Sequence, residues 1–189
     1  MKTDALHIRQ ATPQDKDAIQ ALWKRVIAVA FENERFDDSI TPARELSFKM
    51  NQLEDAFQNV TATYFVSYER DALVGTIAYG TPPNRGILRH TGDALRDTME
   101  LGSLYIDPAQ QKKGYGRILL IYALEALHAS SVETVCFDSI YETSKRIWRR
   151  MFGEPTYNEF SPKHNFYHMI WVVDVAASIE RLKPYTPQR

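Results

Sequence analysis

A strand, a short glycine-containing turn and a helix follow one another in the second half of the chain, and this segment constrains the fold most. Met99 to Ile106 has strand character, Asp107-Pro108 ends it, and Gly116 to Ala129 is predicted to be the helix. The first N–H groups of a helix lack partners within it, and the helix dipole favours negative charge there. Glycines at 114 and 116 let the backbone approach an anion closely. The segment therefore predicts a phosphate or pyrophosphate site.

The side chains of this turn add positive charge through Lys112, Lys113 and Arg117. Two common nucleotide sites do not fit the residues. A P-loop requires Gly-Lys followed by Ser or Thr, which the sequence lacks. A dinucleotide-binding fingerprint requires a third glycine three residues after the second, where this chain has Leu119.

The rest of the chain predicts an α/β (α+β) fold. Leu6 to Gln10 alternates as a first strand, and Thr81 to Thr98 predicts a long loop. Other patterns predict helices opening at Thr12-Pro13, near Thr41-Pro42 and at Glu142, a hairpin of Tyr64–Tyr68 and Leu73–Tyr79, and strands at Val132–Asp138 and Phe166–Val173. Because strands first pair as a hairpin and then alternate with helices, we expect one domain over residues 1–189 with a mixed sheet. A loose tail is expected from about Lys183.

Composition excludes several classes of function. Lys and Arg number 23 against 24 Asp and Glu, so a global field that captures nucleic acid or an anionic membrane is not expected. The single Cys136 forms no intramolecular disulfide. The N-terminus lacks the apolar segment of a signal peptide, and the apolar stretch Ile118 to Leu127 is too short to span a bilayer. We expect a cytoplasmic protein.

The pattern Gln-x-x-Gly-x-Gly at Gln111, Gly114 and Gly116 resembles the motif of the GNAT superfamily of acyl-CoA N-acyltransferases. The preceding Leu104-Tyr105-Ile106-Asp107-Pro108 is similar to the strand and proline upstream of that motif. The order of predicted elements also resembles the family over most of the chain. The resemblance implies a central, twisted, mixed sheet of about six to seven strands flanked by helices.

The same resemblance implies a site for acetyl-CoA. Amides of the turn from Lys112 to Arg117 would hold the pyrophosphate, and the backbone of Leu104 to Ile106 would pair with pantetheine and direct an N–H at the thioester carbonyl. Gly102 or Ser103 could host a bulge in this strand. The implied cofactor-binding residues are Leu104, Tyr105, Ile106, Gln111, Lys112, Lys113, Gly114, Tyr115, Gly116, Arg117 and Ser144, the last at the place of an asparagine in many members.

The catalytic residues are less defined by the resemblance. Glutamates in positions similar to Glu100 act as general base in some members, although a surface carboxylate or a substrate-binding carboxylate is the alternative. The tyrosine that commonly protonates the departing thiolate is missing, because its helix has Arg149 or Met151 there. Tyr157 is the candidate acid, with Tyr141 as a nearby substitute.

Other residues with reactive or charged side chains are mostly expected to have structural roles. Cys136 lies in an apolar strand and is expected to be buried and inert. His164 and His168 lie beside a predicted strand without other ligands, so no metal is expected. The basic residues around Trp148 are expected to form a solvated helix face, with contact to the adenosine 3′-phosphate or a partner as the alternative: Lys145, Arg146, Arg149 and Arg150. The acids between the first two helices form either a plain loop or part of an acceptor pocket: Glu32, Glu34, Asp37 and Asp38.

Together these features predict an N-acetyltransferase that moves an acetyl group from acetyl-CoA to a primary amine by direct attack in a ternary complex. The alternative is a CoA-binding regulatory or sensor module with little turnover. The acceptor would be a small molecule or a peptide, with a weak preference for a cationic small molecule. No nucleic acid, membrane or metal is expected as a partner, and a homodimer is compatible with the resemblance.

Overall fold

Seven strands form a single mixed sheet. The computed structural model describes residues 6–32, 34, 40–162 and 166–183. The strands are β1 His7–Gln10, β2 Ala62–Glu69, β3 Ala72–Gly80, β4 Met99–Ile106, β5 Thr134–Ser139, β6 Tyr157–Ser161 and β7 Phe166–Asp174. The helices are α1 Lys16–Glu32, α2 Pro42–Asn59, α3 Arg85–Thr91, α4 Tyr115–Ala129, α5 Glu142–Phe152 and α6 Val175–Leu182. The strand order is β1-β2-β3-β4-β5-β7-β6, which confirms the predicted mixed sheet flanked by helices.

Each face of the sheet is covered by its own helices. On one face α4 and α6 bury Leu119, Leu124 and Ile179 against the sheet residue Trp171. On the other face α1 and α2 bury a separate cluster that includes Trp23. Trp23 is fully buried, so the cluster under α1 and α2 is closed to water at its centre. No helix in the described part of the chain is long and apolar enough to cross a membrane.

The parallel strands β4 and β5 separate soon after they pair. Their register consists of two residue pairs, Met99 with Val135 and Glu100 with Cys136. All other neighbouring strands of the sheet are antiparallel. Beyond Glu100, β4 continues to Ile106 without pairing to β5. A gap therefore opens in the middle of the sheet, at the carboxyl ends of two adjacent strands.

The starts of the first two helices follow the sequence prediction. Thr12 precedes a 3₁₀ turn that leads into α1, and its backbone N–H donates to the Asp15 carboxylate at 2.8 Å. The Thr41 hydroxyl accepts from the N–H of Arg44 at 3.3 Å, with Pro42 as the first residue of α2. Both ends use side-chain or proline chemistry that needs only neighbouring residues.

The predicted loop from Thr81 to Thr98 is wrong. It contains α3 and a 3₁₀ turn over Gly92–Leu95. The side-chain Oδ1 of Asn84 caps α3 by accepting from the N–H groups of Gly86 at 2.7 Å and Ile87 at 3.1 Å. Ile87 and Leu95 are buried against β5 and β7, so tertiary packing stabilises a helix too short to show periodicity.

Two further elements, β6 and α6, lie where no element was predicted. β6 is short and pairs only with β7 over Tyr157–Ser161, at the edge of the sheet. The Asp174 carboxylate caps α6 by accepting from the N–H of Ala177 at 2.7 Å. The predicted tail begins at Lys183, and residues 184–189 lie outside the described residues.

A bulge in β4 is fixed by a buried hydrogen-bond chain. Thr76 pairs with Tyr105 and Ala78 with Gly102, so β4 has one more residue than β3 in this interval. Ser103 has φ +51°, which places the bulge at one of the two residues that the sequence suggested. The Thr76 hydroxyl donates to the Ser103 carbonyl at 2.9 Å and accepts from the Trp23 indole N–H at 2.9 Å.

Replacing Thr76 with valine is expected to lower the free energy of unfolding by about 1–3 kcal/mol, because two buried polar groups lose their partner while the shape is kept. Urea denaturation measures this change. Thr63→Val in β2 is the matched control, since the Thr63 hydroxyl has no hydrogen bond within the described structure. Equal effects of the two substitutions would contradict the role given to the Thr76 hydroxyl.

Candidate active site

Two cavities meet at Glu100, where β4 and β5 begin to separate. The larger, about 380 Å³, extends along the gap and is bounded by α2, α3, α5 and β7. The smaller, about 250 Å³, lies between α2 and the strands β2, β3 and β4. Five residues line both cavities: Lys49, Asn84, Glu100, Gly102 and Ser103. A ligand entering from either side therefore reaches the same carboxylate.

Asn84 holds the Glu100 carboxylate in place. The Asn84 backbone N–H donates to Glu100 Oε2 at 2.5 Å, and its side-chain amide donates to Oε1 at 2.8 Å. The same amide nitrogen lies 3.3 Å from Asp138 Oδ1 at the end of β5. Because the side-chain Oδ1 of Asn84 also caps α3, one side chain fixes both the helix and the two carboxylates.

The environment raises the pKa of Glu100 to about 7. Burial is the largest cause, and the neighbouring charge of Asp138 raises the pKa further. The hydrogen bonds from Asn84 and the charge of Lys49 oppose the shift. A carboxylate with a pKa near neutrality can accept a proton and release it again at the same pH.

A hydrogen-bonded pair of buried His168 and half-buried Asp138 lies beside Glu100. His168 Nε2 on β7 is hydrogen-bonded to Asp138 Oδ2. The His90 ring of α3 stands edge-on to the His168 ring at 4.9 Å between centroids, and burial lowers the pKa of His90. A Cβ at Gly86 would lie 2.9 Å from His168 Cε1, so the first turn of α3 requires a glycine to pack on this ring.

The glycine-containing turn lies at the open end of β4. Gly114 has φ +87° and Lys112 has φ +65°, left-handed conformations that bring successive N–H groups of the turn to the start of α4. A Cβ at Gly116 would lie 3.5 Å from Ile106 Cγ1, which is ordinary contact. The Gln111 side-chain amide donates to the Ile106 carbonyl at 3.2 Å. Gln111 thus ties the turn to the end of the strand.

The sequence profile of the acetyltransferase (GNAT) family matches residues 23–153, which include the turn, the gap and Glu100. The chain belongs to this family. A comparison with curated proteins found no match.

Solved structures show the same fold. A GNAT-family protein from Desulfovibrio desulfuricans aligns with a TM-score of 0.68 at 16% identity, covering 90% of this chain and 99% of that one. The PaiA N-acetyltransferase from Thermoplasma acidophilum, in complex with coenzyme A, gives 0.65 at 12% identity over 88% and 98%. YncA from Salmonella typhimurium, with its cofactor acetyl-CoA, gives 0.60 at 19% identity over 90% and 94%. At these identities the likeness shows the fold alone.

Within this GNAT fold, three of the residues expected to bind cofactor line the larger cavity: Leu104, Tyr105 and Ser144. Ile106 packs against the core instead. The Tyr115 hydroxyl is hydrogen-bonded to Glu69, and Lys113 lies 3.9 Å from the same carboxylate. These contacts place the side chains of the turn beside the β2–β3 hairpin.

Arg117 is directed away from the turn. Its Nε donates to the Leu182 carbonyl at 2.7 Å, at the end of α6. This contact ties the Arg117 side chain to the end of α6, and its contribution of charge to the anion site stays a prediction. Its backbone N–H also donates to the Gly114 carbonyl at 3.0 Å, within the first turn of α4.

The two candidate tyrosines lie in different places. Tyr157 on β6 packs against the cluster of Ile87, Leu95 and Cys136 and lines neither cavity. Tyr141, which immediately precedes α5, lines the larger cavity. Burial raises the pKa of Tyr141 far above its ordinary value, so the phenol stays protonated.

Several side chains outside the cavities also have defined surroundings. Cys136 is fully buried, and burial raises the pKa of its thiol to about 12, as expected for an inert cysteine.

The expected solvated basic face of α5 is wrong for Lys145, which is fully buried with its ammonium 2.6 Å from Glu142. Glu34 accepts from the Thr143 N–H at 3.4 Å, and neither Glu34 nor Glu32 lines a cavity.

The site also contains residues that sequence reasoning missed, namely Asn84 and Asp138. His168 was considered only as a metal ligand with His164, which lies outside the described residues, as do Asp37 and Asp38. Across the described residues, no group of three or more His, Cys, Asp or Glu is arranged to hold a metal ion. A polar Asp138 at the end of the apolar strand β5 was the one signal in the sequence.

Proposed function

We propose that this GNAT-family protein transfers an acetyl group from acetyl-CoA to a primary amine. The observation that carries the proposal is the position of Glu100, a carboxylate with a pKa near 7 where the β4–β5 gap meets a second cavity. Two structural neighbours are described with coenzyme A or acetyl-CoA, which supports the choice of acyl donor.

The acyl donor would lie along the gap. Its pyrophosphate would be bound by backbone N–H groups of residues 112–117 at the start of α4, where the dipole favours an anion. Its pantetheine would pair with the edge of β4 over residues 104–106, which β5 leaves unpaired. A backbone N–H beyond the Ser103 bulge would then stabilise the thioester oxygen as negative charge develops.

The chemistry would proceed by direct attack. The neutral amine forms a bond to the thioester carbonyl carbon, the C–S bond breaks, and the proton lost from nitrogen passes to Glu100. Cys136 is too deeply buried and too weakly acidic to serve as an acyl-carrying nucleophile. These observations favour transfer within a ternary complex.

The acid that protonates the departing thiolate is Tyr141 rather than Tyr157 in this proposal. Tyr141 lines the larger cavity together with Leu104 and Ser144. Tyr157 lies on β6 and packs against a separate apolar cluster. Burial keeps the Tyr141 phenol protonated, so it can donate a hydrogen bond to the departing sulfur. The alternative function, CoA binding without turnover, requires none of these proton transfers.

Release of free thiol from acetyl-CoA with a panel of primary amines tests the proposal. We expect turnover, with kcat lowered about 10²- to 10⁴-fold in Glu100→Gln because the proton acceptor is lost. For one acceptor, the acid limb of kcat/KM should lie near pH 7 and move to lower pH in Asp138→Asn, since Asp138 raises the pKa of Glu100. The acceptor's own titration is common to both proteins. Tight CoA binding with no thiol release from any amine would favour the regulatory alternative.

The two tyrosines provide a matched pair for the acid. Tyr141→Phe is expected to lower kcat about 10- to 100-fold, with acetyl-CoA affinity unchanged within threefold, because the phenol acts on the departing thiolate. Tyr157→Phe makes the same chemical change outside the cavities and should leave kcat within twofold. A larger loss in Tyr157→Phe than in Tyr141→Phe would overturn the assignment.

A further inference from the structure

The junction of the two cavities holds one charge of each sign. Of the five residues that line both cavities, Lys49 alone is cationic and Glu100 alone is anionic. An acceptor that places its amine at Glu100 therefore also meets the positive charge of the Lys49 ammonium at the junction. This pairing restricts which amines fit.

Lys49 is half-buried and lines both cavities. Its charge lowers the pKa values of Glu45, Tyr64 and Glu100, three groups that line one or both cavities. Its ammonium lies over the Phe48 ring at 5.7 Å from the centroid. By contrast with Lys16, which is paired with Glu54, Lys49 has no carboxylate within ion-pair distance in the described structure. The side chain is thus positioned in the site without an internal counter-ion.

The surrounding charges limit the acceptor further. The Asp138 carboxylate is already hydrogen-bonded to His168. Glu45 lines the larger cavity half-buried, and burial raises its pKa. A polycationic acceptor would meet Lys49 at the junction, whereas the further charges, Arg89 and Glu45 in the larger cavity and Asp55 in the smaller, each line one cavity only. A zwitterion with one amine and one carboxylate matches both signs.

We propose that the acceptor is a free amino acid, with its amine at Glu100 and its carboxylate paired with Lys49. This inference rests on the proposed acetyl transfer and names the substrate class of that same site. The new bond joins the amino nitrogen to the acetyl carbon, and the C–S bond of the thioester breaks. The proton from nitrogen passes to Glu100 and the thiolate is protonated, which gives an N-acetyl amino acid and CoA.

The described acids of the acidic segment do not reach the cavities, and the preference for a cationic small molecule stays a prediction from the sequence. Of its four acids, Glu32 and Glu34 line neither cavity. Glu34 is directed at the start of α5 through its contact with the Thr143 N–H. The charged side chain that does reach the junction from the neighbouring helix is Lys49, and its sign is positive.

The experiment compares each of the twenty amino acids with its carboxamide, which keeps the amine and side chain but removes the negative charge and resembles the first residue of a peptide. Acetyl transfer is measured at pH 8.5, above the pKa of about 7 that Glu100 has in the wild type. We expect at least one amino acid to be acetylated with a kcat/KM, expressed per neutral amine, about 10- to 100-fold above that of its amide, as a charged hydrogen bond contributes. In Lys49→Met this ratio should fall to near one, and Lys49→Arg should restore part of it.

Lys24→Met is the matched control, because Lys24 is exposed on α1 and lines neither cavity. It should keep the wild-type ratio. Transfer to amides as efficient as to amino acids, or a ratio that Lys49→Met leaves unchanged, would overturn the inference while leaving acetyl transfer intact. Absence of transfer to any amine, with or without a carboxylate, would instead overturn the proposed function.

Discussion

β4 and β5 pair at two residues and then separate, and the rest of the site depends on that separation. Parallel strands in the middle of a sheet usually continue their ladder, since an unpaired backbone group buried away from water is costly. Here the bulge at Ser103 changes the register of β4. Hydrogen bonds from the Trp23 indole to the Thr76 hydroxyl, and from that hydroxyl to the Ser103 carbonyl, fix the bulge. The backbone edge left open beyond Glu100 is therefore part of the folded architecture, available to a ligand that can pair with a strand.

Asn84 connects this gap to the chemistry. Its side chain caps α3 through one atom and holds Glu100 and Asp138 through another. Two carboxylates brought to one amide in a buried place cannot both be ionised at the usual cost, and the pKa of Glu100 rises accordingly. Burial is the largest cause of this rise, and the hydrogen bonds from Asn84 oppose it. Lys49, on the other side of Glu100, limits that rise and supplies the positive charge of the junction.

Local features were predictable from the sequence, whereas features that depend on packing were not. The turn from Gln111 to Arg117 and the strand before it follow from glycine, proline and helix-end chemistry, which need only neighbouring residues. The bulge was placed within two residues by the same local reasoning. The site around Glu100, however, joins Asn84, Asp138 and His168 from three separate elements, and no periodicity relates them. α3 was missed because seven residues show no repeated pattern, and the position of Tyr157 could not be known until β6 was placed outside β7.

Binding of acetyl-CoA, followed by isothermal calorimetry, tests the central claim most directly. Gly116→Glu adds a carboxylate at the start of α4 where a Cβ is tolerated, and Ala129→Glu adds the same charge to the last turn of that helix, about 20 Å away. We expect saturable binding by the wild type and by Ala129→Glu, and an affinity at least about tenfold weaker in a folded Gly116→Glu. No binding by the folded wild type, or equal affinity in all three proteins, would contradict a cofactor site at this turn.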